Sequence, residues 1–197
     1  DEVKLKRIAA ENGLLVMGPD CGTAIVNGVG LGFANRVRQG NIGLVGASGT
    51  GLQQVSARIH QLGSGISQAL GTGGRDLSNA VGGATTRQGL DLLMRDPETR
   101  IIVLVSKPPA REMADEILNL ARSSNKPVVV DFFGYAACAR QVDNLYFAST
   151  LNEAAELAVH VVGRSTEGEG QEAQGRPGAE AAGCFAPGQR YLRGLFS

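Results

Sequence analysis

The stretch Gly40-Asn41-Ile42-Gly43-Leu44-Val45-Gly46-Ala47-Ser48-Gly49-Thr50-Gly51 is the part of the chain from which the other predictions follow. Its apolar residues predict a buried strand at 42–45. The apolar residues at positions 52, 55, 59 and 62 share one face of a helix predicted at 50–62. The first amide N–H groups of a helix have no partner within the helix, and the helix dipole adds positive charge there. The turn between strand and helix therefore predicts an anion site, and a plain N-terminal cap by Ser48 or Thr50 is the alternative.

The composition predicts a globular protein and argues against several classes of partner. The chain has 197 residues, of which 43% are hydrophobic and 19% charged, and its formal net charge is +0. This balance gives no electrostatic reason to expect nucleic acid or an anionic membrane. No apolar run reaches the roughly 18 residues of a membrane span, and no signal-peptide pattern is present. The 3 cysteines and 2 histidines lack metal-ligand spacing, so we expect a cytoplasmic protein without a structural metal.

Apolar strands alternate with amphipathic helices after residue 40, which predicts an α/β fold with a parallel sheet and helices on both faces. Further strands are predicted at 66–70, 101–105 and 128–133, and further helices at 86–95, 110–122 and 152–162. Before this region we expect a helix at 1–11, a strand at 14–17 and a hairpin around Asn27-Gly28.

Three loops follow the carboxyl ends of the predicted parallel strands, at 46–51, 71–76 and 106–109, and ligands bind at that edge of such sheets. The candidate phosphate-binding residues share small size or a hydroxyl group: Ser48, Gly49, Thr50, Gly51, Gly73 and Gly74. The candidate catalytic residues are charged. Lys107 would neutralise a phosphate, Arg75 would bind a carboxylate or phosphate, and Asp76 would orient Arg75 or a substrate amide, with a helix cap as the alternative for Asp76.

Four segments carry a family resemblance: Gly-Pro-Asp-Cys at 18–21, the stretch at 40–50, Gly-Thr-Gly-Gly with Asp at 71–76, and Asp-Pro-Glu-Thr at 96–99. Together they resemble the acyl-CoA synthetase (NDP-forming) superfamily, on the side of the succinyl-CoA synthetase α-subunit. The patterns at 13–23, 46–51, 73–78 and 105–109 resemble the FdrA family more closely. The resemblance covers about 14–134.

The resemblance implies a flavodoxin-like domain within a longer multidomain chain. Residues 1–24 would be the C-terminal remnant of a CoA-binding-like Rossmann domain, and 25–163 a succinyl-CoA-synthetase-like domain. The polar, glycine-rich composition of 164–189 predicts a flexible linker, and 190–197 would open the next domain. Partner subunits or a homo-oligomer are implied, with CoA as one candidate ligand.

The sequence departs from the synthetases at two positions that bear on the chemistry. In those enzymes a loop histidine is phosphorylated and a glutamate steadies it; here the loop at 134–140 has no histidine, and Lys107 stands where the glutamate is expected. A lysine beside a helix start is suited to a phosphate that is never transferred to the protein. Similarity to FdrA-like proteins then implies carbamoyl transfer of the oxamate carbamoyltransferase type, in ureide (allantoin) catabolism, with an acyl or carbamoyl phosphate as ligand and no certain cofactor.

Two other hypotheses stay open. The chain resembles an ADP-forming acyl-CoA synthetase subunit that would borrow its histidine from elsewhere, and a non-catalytic scaffold or regulatory subunit is the third hypothesis. We expect ordinary surface or core roles for His60 and His160. Cys21 and Cys138 are expected to be small buried side chains. Tyr135 and Arg140 are secondary site candidates because they lie in the loop without the histidine.

Overall fold

The computed structural model describes residues 1–167, and its side chains are described as far as residue 164. The helices are α1 (Glu2–Glu11), α2 (Gly49–Gln61), α3 (Ala84–Arg95), α4 (Arg111–Arg122) and α5 (Leu151–Glu167). The strands are β1 (Thr23–Val26), β2 (Val29–Gly32), β3 (Gln39–Ala47), β4 (Ile66–Gly71), β5 (Ile101–Ser106), β6 (Val128–Phe132), β7 (Gln141–Val142) and β8 (Leu145–Phe147).

One eight-stranded sheet runs through the described residues in the order β2-β1-β4-β3-β5-β6-β8-β7. Its central strands β4, β3, β5, β6 and β8 pair in parallel, whereas β1–β2 and β7–β8 add antiparallel hairpins at the two edges. Taken in chain order, the parallel strands follow the 2-1-3-4-5 arrangement of flavodoxin-like folds. The predicted α/β fold class is therefore confirmed, and of the two antiparallel edges only the β7–β8 hairpin was not predicted.

Helices cover both faces of the parallel sheet, because successive residues of each strand point to opposite faces. Ile42 and Leu44 of β3 pack with α2 and α5 in one core cluster. Val45 and Ala47 pack with α3 and α4 in the other cluster. Since both faces are buried, the parallel strands read as continuous apolar runs.

The hairpin expected around Asn27-Gly28 is confirmed. These two residues connect β1 to β2, with φ of 50° and 79°. Gly63 follows α2 with φ of 87°, in the left-handed conformation that ends many helices.

The strand predicted at 14–17 is wrong. In this segment the carbonyls of Leu14 and Val16 accept hydrogen bonds from side chains of α3, Gln88 at 3.2 Å and Thr85 at 2.9 Å. The segment thus lies on a helix, and Leu14 is exposed.

The predicted domain boundaries do not coincide with breaks in this structure. The boundary at 24–25 falls inside β1, and α1 packs against α3. Helix α5 continues past 163 to Glu167, so the predicted linker does not begin at 164. Residues 168–189 of that linker and residues 190–197 lie outside the described residues, and the assignment of both chain ends to other domains stays a prediction.

Candidate functional site

A pocket of about 860 Å³ opens beyond the carboxyl ends of β3, β5 and β6. We call it the switch pocket, because β4 and β5 lie on opposite sides of β3 and the chain reverses direction along the sheet there. Its walls come from the strand ends and from the first turns of α2 and α5. The lining residues are Ser48, Thr50, Gln54, Val105, Ser106, Lys107, Pro108, Asp131, Phe133, Ser149, Thr150, Leu151 and Asn152.

The start of α2 forms one wall of the switch pocket. Ser48 caps this helix, and its hydroxyl accepts a hydrogen bond from the amide of Gly51 at 3.2 Å. No side chain of the described residues caps the amides of Gly49 and Thr50. Ser48 is therefore a cap, as the alternative had it, while the amide of Thr50, which lines the pocket, stays available to an anion that enters it.

Lys107 follows β5 directly and lines the same pocket. Its ammonium nitrogen lies 3.4 Å from Oδ2 of Asp20, and the two side chains are 54% and 76% exposed. An exposed ion pair of this kind contributes about 1 kcal/mol at most, so an anionic ligand can compete for the lysine. The structure thus brings Lys107 together with Ser48 and Thr50, as predicted.

Asp131 is a site residue that the sequence analysis did not single out. Asp131 lies on the same face of β6 as Val129, the face covered by α2 and α5. The residue lines the switch pocket, although it is only 7% exposed. Burial raises the pKa of the Asp131 carboxyl above its usual range, and the nearby Glu153 carboxylate raises it further. A carboxylate inside the apolar run at 128–133 was the signal that could have marked it.

The start of α5 forms the opposite wall and is held by its own side chains. Glu153 accepts a hydrogen bond from the amide of Ser149 at 2.6 Å, and the amide of Glu153 donates to Thr150 Oγ1 at 3.1 Å. The pattern is a variant of the capping box, in which the glutamate accepts from the amide one residue before the cap residue Thr150. Arg140 donates to the other oxygen of Glu153 at 2.6 Å, so both oxygens of that carboxylate have partners.

Asp76 is not in the switch pocket, and its candidate catalytic role is replaced by a structural one. The residue is completely buried, and Oδ2 accepts hydrogen bonds from the amide of Thr86 at 2.8 Å and from its hydroxyl at 2.6 Å. Oδ1 accepts from Nζ of Lys6 at 2.6 Å and from the amide of Thr85 at 3.2 Å. The carboxylate therefore caps α3 and pairs with α1, as the alternative had it.

The other candidates in the loop at 71–76 are also outside the switch pocket. Arg75 donates from Nε and Nη2 to Glu2 at 3.0 and 2.9 Å, so its guanidinium is bound to α1. A Cβ at Gly73 would lie 2.5 Å from the carbonyl oxygen of Pro19, and one at Gly74 would lie 2.6 Å from Oδ2 of Asp20. Both glycines therefore admit a close approach of the segment 18–20 rather than a ligand.

Neighbouring side chains leave little room for a Cβ atom at Gly49 and Gly51. A Cβ at Gly51 would lie 2.8 Å from Cγ1 of Val105, which packs under the first turn of α2. A Cβ at Gly49 would meet Sγ of Cys21 at 3.3 Å. Neither glycine lines the switch pocket, and the amide of Gly51 is already bound to the hydroxyl of Ser48.

A second pocket of about 530 Å³ adjoins the first and shares Asp131, Phe133 and Ser149 with it. The loop at 134–140 lines it, including Tyr135 and Arg140. The expectation for Cys138 is wrong: its side chain is exposed because the loop carries it outside the core. Neither histidine lines either pocket; Nδ1 of His60 accepts from the amide of Arg38 at 3.0 Å.

Among residues 1–167, no helix is long and apolar enough to cross a membrane. Within the same residues, no group of three or more potential ligands (His, Cys, Asp or Glu) is placed to hold a metal ion.

Comparison with known proteins relates this chain to CoA ligases. The family model for the CoA binding domain matches residues 37–134, which contain the parallel sheet from β3 to β6. The uncharacterized protein YahF of Escherichia coli K12 is 49% identical over 197 residues, which are 100% of this chain and 38% of YahF. The succinate–CoA ligase [ADP-forming] subunit alpha 2 of Archaeoglobus fulgidus is 33% identical over 142 residues, which are 70% of this chain and 46% of the ligase subunit.

These matches support the acyl-CoA synthetase superfamily that includes succinyl-CoA synthetase α-subunits. Among solved structures, ATP citrate lyase from Methanothrix soehngenii, in complex with citrate and coenzyme A, aligns with a TM-score of 0.71 and 16% identity. The alignment covers 89% of this chain and 34% of the lyase, and at this identity it shows the fold alone. The chain spans less than half the length of these relatives. The match to the CoA binding domain lies within 25–163, not in the segment 1–24 for which a CoA-binding-like domain was predicted.

Proposed function

We propose that this chain forms the phosphate-holding part of an acyl-CoA-synthetase-like subunit, and that the switch pocket holds an acyl or carbamoyl phosphate that is never transferred to a histidine. The observation that carries the proposal is the convergence of Lys107 with Ser48 and Thr50 of the α2 start on one open pocket. A cation and the donors of a helix start supply charge-assisted hydrogen bonds to a phosphate. They would also stabilise the negative charge that develops when phosphate leaves.

Carbamoyl transfer, as in FdrA-like proteins, is the reaction that we favour. Neither pocket of the described residues is lined by a histidine. The switch pocket therefore lacks the side chain that is phosphorylated in the acyl-CoA synthetases. A second substrate would then attack the carbonyl carbon of the bound acyl or carbamoyl phosphate directly, and the bond from that carbon to the phosphate oxygen would break as inorganic phosphate leaves. The protein would contribute by positioning the two reactants.

A CoA ligase subunit is the second candidate function, and the family match and the relatives named CoA ligases favour it. In that case a partner subunit would supply the missing nucleophile, and CoA would be a ligand. The open pocket at Ser48 and Thr50 supports both ligand-binding hypotheses over a scaffold without a ligand.

Titration calorimetry with carbamoyl phosphate and acetyl phosphate tests whether this pocket holds a phosphate. The variant Lys107→Ala should weaken the affinity for either compound at least tenfold, since a hydrogen bond to a charged group contributes about 1.5–3 kcal/mol. Lys4→Ala on α1 is the matched control, because Lys4 is exposed and does not line the switch pocket. Unchanged affinity in Lys107→Ala would refute the role of the lysine.

Assays of the complete complex separate the two reactions. Carbamoyl transfer to a small acceptor acid, without a phosphorylated protein, is the expected result for our proposal. Nucleotide-dependent formation of a CoA thioester would favour the ligase. An acid-labile phosphoprotein formed with ATP would refute direct transfer.

A further inference from the structure

Two charged residues line the switch pocket, Lys107 and Asp131. A bound phosphate would account for the lysine but not for the aspartate. Both carboxylate oxygens lack a hydrogen-bond or ion-pair partner among residues 1–164, although Asp131 is only 7% exposed. These oxygens are not among the buried unpaired atoms of the described residues, so they face the open pocket. A largely buried aspartate whose oxygens face a pocket without a protein partner points to a partner that arrives with the ligand.

The neighbours of Asp131 do not supply that partner. Glu153 is itself an anion, and its oxygens are already bound to the amide of Ser149 and to Arg140. Lys107 lines the same pocket, yet its nitrogen is directed to Asp20. The pocket therefore has two chemically different ends, with donors at Lys107 and the α2 start and an unpaired acceptor at Asp131.

An ionised carboxylate accepts hydrogen bonds and donates none. A second carboxylate on the ligand would be repelled by Asp131. A methyl group there would make no hydrogen bond to the carboxylate. An amino or amide nitrogen fits best, because its N–H group donates to an acceptor that has no protein partner.

We propose that Asp131 accepts a hydrogen bond from an N–H group of the ligand, so that the switch pocket selects small anions that carry an amino or amide nitrogen. The inference rests on the proposed function, whose phosphate would occupy the other end. Asp131 is then the residue that distinguishes a carbamoyl group from an acetyl group. A site built to bind an N–H discriminates strongly against analogues that lack it.

The test compares carbamoyl phosphate with acetyl phosphate, which share the phosphate and differ by an NH₂ or a CH₃ group. Calorimetry on the full chain in EDTA should show at least tenfold tighter binding of carbamoyl phosphate. In Asp131→Val, which repeats the residue type at 129, the two affinities should become equal. Asp131→Asn keeps the shape of the side chain and should give an intermediate ratio. Asp91→Asn on α3, an exposed aspartate outside both pockets, is the control and should keep the preference of the natural chain.

A second pair of probes keeps this inference distinguishable from the phosphate proposal. Oxamate and pyruvate share a carboxylate and also differ by NH₂ against CH₃, and oxamate should bind more tightly in the natural chain but not in Asp131→Val. Equal affinities within both pairs, or a preference that survives in Asp131→Val, would overturn the role of Asp131 while leaving the phosphate site intact. A preference that needs added Mg²⁺ would overturn it as well, because a metal ion would then be the partner of the carboxylate. Saturable oxamate binding without binding of either phosphate would instead overturn the phosphate site.

Discussion

Replacing Lys6 by Met removes one charge of the buried ion pair that joins α1 to the loop before α3. Nζ of Lys6 lies 2.6 Å from Oδ1 of Asp76, and the two side chains are 2% and 0% exposed. The same nitrogen donates to the carbonyl of Thr72 at 2.7 Å. Breaking a buried pair costs about 3–5 kcal/mol because it leaves a charge without its partner. Asp76 keeps three other donors, from Thr85 and Thr86, so we expect the lower end, about 3 kcal/mol.

Urea denaturation of Lys6→Met and of the matched variant Lys4→Met on the same helix measures this loss. Met preserves the aliphatic stem, so the difference reports the charge and its hydrogen bonds. Lys4→Met should stay within about 0.5 kcal/mol of the natural chain, because Lys4 is exposed. The double variant with Asp76→Asn should lose less than the sum of the single losses, since the two residues are in contact. A free energy of unfolding for Lys6→Met equal to that of Lys4→Met, or strictly additive losses, would refute a structural role for this pair.

Two further variants test the packing and the charge of the site. Gly71→Ala should lower the free energy of unfolding by about 1–3 kcal/mol, because a Cβ would collide with Sγ of Cys21 and lie 2.7 Å from the carbonyl of Thr23. The control is Gly163→Ala on α5, where a Cβ meets nothing within 4 Å. Equal stability of the two variants would contradict the reasoning. Asp131→Asn should raise the free energy of unfolding by about 1 kcal/mol at pH 7, since burial and the nearby Glu153 carboxylate disfavour the charged form of Asp131 in the folded chain. Because burial raises the folded pKa of Asp131, the natural chain gains stability relative to the variant as the pH falls through that raised pKa toward the usual value. The advantage of the variant should therefore shrink at pH 4, and an equal advantage at both pH values would contradict the assignment.

The central sheet was predictable because its strands are buried on both faces. Continuous apolar runs and the helices between them marked β3 to β6 to within a few residues, since parallel strands need no polar alternation. The hairpin β7–β8 escaped detection. Its strands span only Gln141–Val142 and Leu145–Phe147, and its turn uses Asp143 with φ of 54° rather than an Asn-Gly pair.

Some of the predicted phosphate-binding residues lie at the switch pocket and others do not. The difference depends on what each loop packs against, and amino-acid composition alone does not reveal that packing. The turn at 46–51 opens onto a pocket, whereas the loop at 71–76 is covered by α1 and by the segment 18–20. The two loops are equally rich in glycine, and they follow adjacent parallel strands. Only the long-range contacts of Glu2 and Lys6 distinguish them, and such contacts leave no local pattern in the sequence.

The two ends of the switch pocket depend on the pairing of β5 with β6. The parallel register sets Asp131 of β6 opposite Val105 of β5. Lys107 lies two residues after Val105, so a cation and an anion come from the ends of adjacent strands. No ion pair joins them within residues 1–164, and the cation instead makes an exposed contact with Asp20. A ligand that carries an anion and an N–H group can pair with both ends at once, the anion with Lys107 and the N–H with Asp131. Burial disfavours the charged form of Asp131 in the empty protein, and an N–H donor would stabilise that form on binding, which is the physical basis of the proposed ligand choice.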